Sequence, residues 1–342
     1  MPRAGVLTGG GDSPGINAAL RAIVRFGAKH GVEVVGFLEG WKGPLENLMQ
    51  PLTIADVSGI LHIGGTVLGS SRTNPFKVEG GPERVVEALE VNALDFLIAI
   101  GGDDTLGVAH RLADYGIRVV GIPQTIDNDI AGTDYTLGFQ SALDAITEAL
   151  DRLHTTAASH HRVLILEVMG RDAGWLSLMG GVAGGADVIL MPENPFNIDA
   201  IFRQIKRREQ LKKRFSIVIV AEGASPEALD GQVLDETEID EFGHMRLGGV
   251  GQYIANRLAE RMKMPVRVTN LAYLQRGGSP SPFDRILATR FGAGAVEFAL
   301  NETFDVMTAI QGTRIVPVPL ADALSGLRLV DEHLLYLTDL FG

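Results

Sequence analysis

Three polar residues at alternate positions carry the densest chemistry in this chain. In Thr125-Ile126-Asp127-Asn128-Asp129, alternation along an extended segment sends Thr125, Asp127 and Asp129 to the same side. A carboxylate in such a row could remove a hydroxyl proton while a neighbour holds a metal and the threonine hydroxyl meets a phosphate oxygen. A cluster of Asx turns is the plain alternative. A second acidic pair, Asp103-Asp104, follows Gly101-Gly102. Adjacent carboxylates repel, and a hard cation relieves that repulsion; Mg²⁺ is commonly held by a carboxylate, waters and substrate phosphates. Taken alone, the pair reads first as an Asp-rich turn.

Gly9-Gly10-Gly11-Asp12-Ser13-Pro14-Gly15 supplies a third element. Successive glycines let backbone N–H groups approach an anion, with the positive end of a helix behind them. It is not a dinucleotide fingerprint, because Pro14 stands where the third glycine belongs. It is not a Walker loop, because Ile16 and Asn17 replace Lys and Ser/Thr. On its own the loop is balanced between a phosphate cradle and a turn. The cationic side comes from Arg72, Arg162, Arg171, Arg267 and Arg276. An acidic chain that sets arginines beside glycine turns uses some of them for bidentate phosphate recognition, though each singly reads as a surface residue. His154, His160 and His161 lack the i, i+4 spacing of a helical metal pair.

These residues need elements to position them. Five short apolar runs stand out: 5–7, 96–100, 119–122, 163–166 and 217–220. They are rich in β-branched residues and mostly lack polar alternation, as strands buried on both faces do. Amphipathic helices alternate with them. One is expected from Ser13 as N-cap, with Pro14 at the first helical position, to Gly31. Another spans Thr136 to His154. The pattern predicts an α/β fold with parallel sheets. Each run is followed by glycine-rich or polar sequence, and in such a sheet those ends share the ligand-binding edge. The acidic stretch within 225–247 reads as a solvated surface segment.

Composition bounds the partners. The chain has 342 residues, a formal net charge of −12 and no cysteine. The acidic excess argues against nucleic acid and anionic membranes as partners. Disulfides, thiolate metal sites and cysteine nucleophiles are excluded. No apolar run reaches membrane-helix length and no secretory leader is recognisable. A soluble, cytoplasmic protein is expected.

Taken together, the motifs resemble the phosphofructokinase family, from Gly5 to about Gly312. The resemblance rests on residues 10–17, 64–72, Gly-Gly-Asp-Asp-Thr, Thr-Ile-Asp-Asn-Asp, Met-Gly-Arg-Asp-Ala-Gly-Trp (169–175) and Leu-Gln-Arg-Gly-Gly (274–278). It implies two similar three-layer α/β domains with mainly parallel sheets and the active site in the cleft between them. The domains are expected at 1–138 plus 251–301, binding donor and metal, and at 139–250 plus 302–342, binding fructose 6-phosphate. The implied reaction, a step of glycolysis, moves a phosphoryl group to the sugar's 1-hydroxyl.

By the same resemblance Asp127 is the general base, and Asp103 and Asp129 hold Mg²⁺. Thr125 contacts the transferring phosphoryl, while Arg171 and Arg72 neutralise its charge. Gly11, Arg72, Gly102, Asp103, Asp104, Thr105 and Gln124 bind the donor. The sugar phosphate falls to Thr125, Asp127, Met169, Gly170, Arg171, Glu222, Tyr273 and Arg276. Arg162 and Arg267 reach a neighbouring subunit's site, which implies a homo-oligomer, a tetramer or dimer. In the family an aspartate at the position of Asp104 marks pyrophosphate enzymes and a glycine marks ATP enzymes, because a carboxylate there fills and repels the space of the nucleotide α-phosphate. Gln124 stands where pyrophosphate enzymes carry lysine, and a lost charge-assisted contact is worth about 1.5–3 kcal/mol. Pyrophosphate is the expected donor, with near-reversible transfer; ATP is the alternative. A non-catalytic phosphosugar sensor is a more remote alternative.

Overall fold

The computed structural model describes residues 1–227, 234–239, 245–247 and 249–339. The strands in chain order are β1 (Arg3–Thr8), β2 (Glu33–Phe37), β3 (Met49–Leu52), β4 (Phe96–Gly101), β5 (Val119–Thr125), β6 (Leu137–Gly138) and β7 (Val163–Val168). They continue with β8 (Val188–Leu190), β9 (Ser216–Ala221), β10 (Leu234–Ile239), β11 (Met245–Leu247), β12 (Val266–Asn270), β13 (Val306–Gln311) and β14 (Arg314–Pro319). The helices are α1 (Ile16–Lys29), α2 (Lys42–Glu46), α3 (Gly81–Val91), α4 (Asp103–Ala113) and α5 (Phe139–His160). After them come α6 (Trp175–Ala183), α7 (Ile198–Gln210), α8 (Val250–Ala259), α9 (Pro282–Leu300) and α10 (Leu320–Ala323).

Two compact units result. The first comprises residues 1–126, 130–141 and 276–327. Its sheet has the order β14-β13-β5-β4-β1-β2-β3, with β6 beside β5. The interior pairs are parallel, and antiparallel β14 and β3 close the two edges. The chain builds from β1 towards β2 and then returns to β4 on the other side, so the β1/β4 boundary is a topological switch point. Side chains alternate faces. Ile98 and Ile100 pack with Leu20, Ile23 and Phe291, whereas Leu97 and Ala99 pack with Trp41, Leu89 and Leu112. Burial on both faces explains the unbroken apolar runs, and each fully buried aliphatic side chain contributes about 1.5–3 kcal/mol.

The second unit comprises 127–129, 142–275 and 328–342. Its sheet, β12-β7-β9-β8, is parallel throughout. Val163, Ile165, Val218 and Val220 pack against Ile201, Ile205, Ile254 and Leu258 of α7 and α8. The acidic stretch includes β10, which pairs antiparallel with β11; the surroundings of its side chains, and residues 228–233 and 240–244, lie outside the described residues.

Four expectations change. Residues 266–270 pair with β7 and residues 306–319 extend the first sheet, so 251–275 belong with the second unit and 302–327 with the first, opposite to the sequence boundaries. Helix α1 starts at Ile16 with Gly15 as N-cap; Ser13 Oγ instead donates to Leu137 O (3.0 Å). The helix expected from Thr136 starts at Phe139 and runs on to His160, because residues 137–138 pair with Gln124 and Thr125. Finally, residues 125–129 are not extended. Strand β5 ends at Thr125, and Asn128 takes a left-handed conformation (φ 54°). Simple alternation therefore does not place Thr125, Asp127 and Asp129 on one side.

Candidate active site

In the first unit, three neighbouring strands deliver three of the sequence motifs. The loop after β1 starts with Gly9 N bonded to Ile100 O (2.9 Å). It is tied to the 64–72 segment by Gly10 N→Ser71 O (3.1 Å) and Ser70 Oγ→Gly10 O (2.6 Å). A side chain at Gly11 would meet Arg276 Nη1 at 2.5 Å, so the absent Cβ is what admits the guanidinium to this loop. Arg276 Nη1 also donates to Asp12 O (3.3 Å), and Gln124 Nε2 donates to Gly11 O (3.0 Å). Thr105 Oγ1 lies against the same turn, 2.7 Å from where a Cβ on Gly9 would stand. Gly11, Thr105, Gln124 and Arg276 are thus gathered around one glycine loop.

Two buried atoms here, Thr105 Oγ1 and Gln124 Oε1, have no hydrogen-bond partner among the described residues. An orphaned buried polar atom is costly, and a bound polar ligand or water relieves it. Gly102 is the N-cap of α4, and Asp103 and Asp104 occupy its first turn. The helix dipole favours carboxylates there, which offsets part of their mutual repulsion. Asp103 is exposed, Asp104 half-buried and Arg72 exposed. For Mg²⁺ the donor set fits. Asp103 offers exposed carboxylate oxygens, and among the described residues no cage of three or more His, Asp or Glu forms, nor does Mg²⁺ held through substrate phosphates need one.

In the second unit the loops after β7 and β9 lie side by side. Glu222 N bonds Val168 O (2.8 Å) and Gly223 N bonds Gly170 O (3.1 Å). A Cβ on Gly223 would overlap the carbonyl oxygen of Arg171, so only glycine lets the two loops approach this closely. Gly170 is itself left-handed (φ 129°). Met169 N donates to Gln275 Oε1 (3.2 Å), which joins the loop to the 272–275 turn, where Tyr273 is 69% exposed. The structure therefore brings Met169, Gly170, Arg171 and Glu222 together at the carboxyl ends of β7 and β9.

Arg162 and Arg267 do not join them. Arg162 precedes β7 and Arg267 pairs with Leu164 near its start, so both lie at the amino edge of the sheet. The six residues of β7 separate Arg162 from Met169, seven steps or roughly 23 Å at about 3.3 Å per residue.

Three residues escaped the sequence reading. Arg328 N donates to Asp129 O (2.8 Å) and its Nη1 to Asn128 O (3.2 Å). Glu193 accepts Gly174 N and Val330 N. Asp284, buried at the start of α9, accepts Gly138 N (3.1 Å), Ser141 N (2.8 Å) and Ser141 Oγ (2.5 Å). Burial pushes the Asp284 carboxyl above the ordinary carboxylate value, against the lowering effect of those donors. Arg328 and Asp284 do not follow a strand directly, whereas Glu193 stands three residues past β8, whose three-residue run is too short to stand out in the sequence.

Comparison with known proteins agrees with this geometry. The sequence pattern described as Phosphofructokinase matches residues 3–299. A pyrophosphate–fructose 6-phosphate 1-phosphotransferase of Amycolatopsis mediterranei is 54% identical over 330 residues, 96% of each chain. An ATP-dependent 6-phosphofructokinase 3 of Streptomyces coelicolor is 49% identical over 331 residues, 96% of this chain and 97% of the other. Among solved structures, Pichia pastoris phosphofructokinase in the T-state superposes with a TM-score of 0.84 at 34% identity; it covers 95% of this chain, which spans only 35% of that longer one. A pyrophosphate-dependent phosphofructokinase from Marinobacter aquaeolei gives a TM-score of 0.85 at 24% identity, covering 97% of this chain and 86% of its own, a likeness of fold. The chain belongs to the phosphofructokinase family.

Proposed function

We propose that this chain is a pyrophosphate-dependent phosphotransferase that phosphorylates the 1-hydroxyl of fructose 6-phosphate to give fructose 1,6-bisphosphate. The observation that carries the donor assignment is Asp104 in the first turn of α4, directly after the Gly101-Gly102 turn. A carboxylate there repels a nucleotide's α-phosphate, whereas pyrophosphate ends before that position. Relatives named as pyrophosphate enzymes at 52–54% identity support the same donor. The ATP-dependent relative at 49%, with the uncharged Gln124, keeps ATP as the second reading.

In this reading the first unit supplies most of the donor-binding residues and the second most of those for the sugar phosphate. Asp127 accepts the proton of the 1-hydroxyl as its oxygen attacks the terminal phosphorus, and inorganic phosphate leaves. Thr125 contacts the transferring group. Arg171 and Arg72 neutralise charge gathering on its oxygens, the largest electrostatic contribution to such a transfer. Met169, Gly170, Glu222, Tyr273 and Arg276 orient the sugar phosphate. Asp103 would hold Mg²⁺, with Asp129 as a second carboxylate; when bound, the ion would supply positive charge to offset that on the phosphates. Arg162 and Arg267, at the far edge of their sheet, serve the site of a neighbouring copy in a homo-oligomer. With pyrophosphate as donor the transfer is close to reversible, as the family resemblance implies.

A side-by-side donor assay tests the proposal. Purified protein with Mg²⁺ and fructose 6-phosphate is expected to turn over with pyrophosphate and poorly with ATP; a strong preference for ATP overturns the donor. Asp127→Asn is expected to lower kcat by several orders of magnitude while fructose 6-phosphate still binds, and unchanged turnover removes the base assignment.

A further inference from the structure

We propose that Arg328 is a positioning residue that aims the Asp127 carboxylate, by bracing the turn that carries it. This rests on the assignment of Asp127 as base. The turn is left-handed at Asn128 (φ 54°), a single-residue conformation that asparagine tolerates, so its direction is set by what binds its carbonyls. One arginine binds two successive carbonyls of that turn, Asn128 O through Nη1 (3.2 Å) and Asp129 O through its backbone N–H (2.8 Å).

Arg328 is itself held on two sides. Trp175 Nε1 donates to Arg328 O (2.8 Å), and the guanidinium stacks over the Trp175 ring at 4.3 Å. Two residues on, Val330 N donates to Glu193 Oε1 (2.9 Å), and the same carboxylate accepts Gly174 N (2.9 Å) just ahead of α6. The segment 328–330 is therefore a strap from the 127–129 turn to the residues that follow Arg171. It ties the backbone beneath the base to the start of α6. A planar fork that donates at one edge while stacking on its face is a task lysine cannot repeat. Arg328 also lies outside residues 3–299, where the family pattern matches.

Kinetics of Arg328→Lys and Arg328→Ala, each with and without Asp127→Asn, test the proposal. With Asp127 present, both variants are expected to lose kcat on the order of 10–100-fold, the cost of misplacing a reacting group by about an ångström. The fructose 6-phosphate dissociation constant, measured by calorimetry, should stay within about threefold, and added guanidinium should restore part of the Arg328→Ala rate. In the Asp127→Asn background the residual rate should not fall further, because a residue that acts through the base has nothing left to aim. Unchanged kcat in the Arg328 variants, or an equal loss with and without Asp127, overturns the proposal. Full turnover by Asp127→Asn alone overturns the base assignment and the strap's role with it, whereas an inactive Asp127→Asn beside a fully active Arg328→Ala overturns the strap alone. Should Arg328→Ala not fold, Arg328→Lys, which keeps the charge, carries the same comparison.

Discussion

Replacing Asp284 by asparagine measures how firmly the loops of the first unit are clamped. The Asp284 carboxylate ties the start of α9 to Gly138 and Ser141, and Gly138 sits directly beneath Ser13 of the glycine loop, where a Cβ would overlap the serine. Asparagine keeps one acceptor oxygen. Its least disruptive orientation turns the amide nitrogen towards Gly138 N–H, so that two donors face each other. One hydrogen bond to a charged group, about 1.5–3 kcal/mol, is lost, and a buried N–H left unpaired costs about 1–3 kcal/mol more. Relief of the buried charge offsets part of this, which leaves a net destabilisation of about 2–4 kcal/mol at neutral pH. The pH dependence has a definite sign. Burial raises the folded value of Asp284 above its unfolded 3.8, so in that window the native chain holds a proton the unfolded chain has released. Its contribution is full below 3.8 and falls as pH rises through the folded value. Other carboxylates titrate alike in both proteins, so the stability difference is expected to be largest at the acid end and to shrink towards neutrality. Urea unfolding at several pH values from about 4 to 7, compared through midpoints at a common slope, reads this directly. A difference below about 1 kcal/mol at neutral pH, or one that grows with pH, would refute the reasoning.

Gly223→Ala drives a methyl group into Arg171 O; the loops after β7 and β9 must separate, and kcat/KM for fructose 6-phosphate is expected to fall on the order of 100-fold, so unaltered kinetics would mean that this approach does not position Arg171. Asp104→Gly removes the carboxylate proposed to exclude a nucleotide's α-phosphate and is expected to raise kcat/KM for ATP about tenfold, worth about 1.4 kcal/mol. It also costs about 1 kcal/mol of helix propensity and up to about 1 kcal/mol of dipole interaction, so thermal stability should drop as well. No gain with ATP would place the exclusion elsewhere.

Legibility in the sequence follows the range over which the causes act. Strands β1, β4, β5, β7 and β9 were readable because burial on both faces leaves an uninterrupted apolar run. Strands β3 and β14 were not, since at the sheet edges the requirement lapses and prolines such as Pro51 and Pro317 enter. The start of α1 misled for a specific reason: Ser13 has the chemistry of an N-cap but spends its hydroxyl on Leu137, 124 residues away. Likewise the 125–129 row suggested alternation, which a single left-handed residue, Asn128, abolishes.

The same distinction separates the residues proposed to react from those that hold their segments. Asp103, Asp127 and Arg171 announce themselves because each stands within three residues of the end of a buried strand, and that position is fixed by local sequence. The residues that hold those loops come from anywhere in the chain: Arg328 reaches Asn128 across 200 residues, Val330 reaches Glu193 across 137, and Asp284 reaches Ser141 across 143. Nothing near Arg328 in sequence marks it, because its function is defined only by two carbonyls and an indole ring delivered by other segments. The chemistry is therefore written locally and its aim is written in the fold.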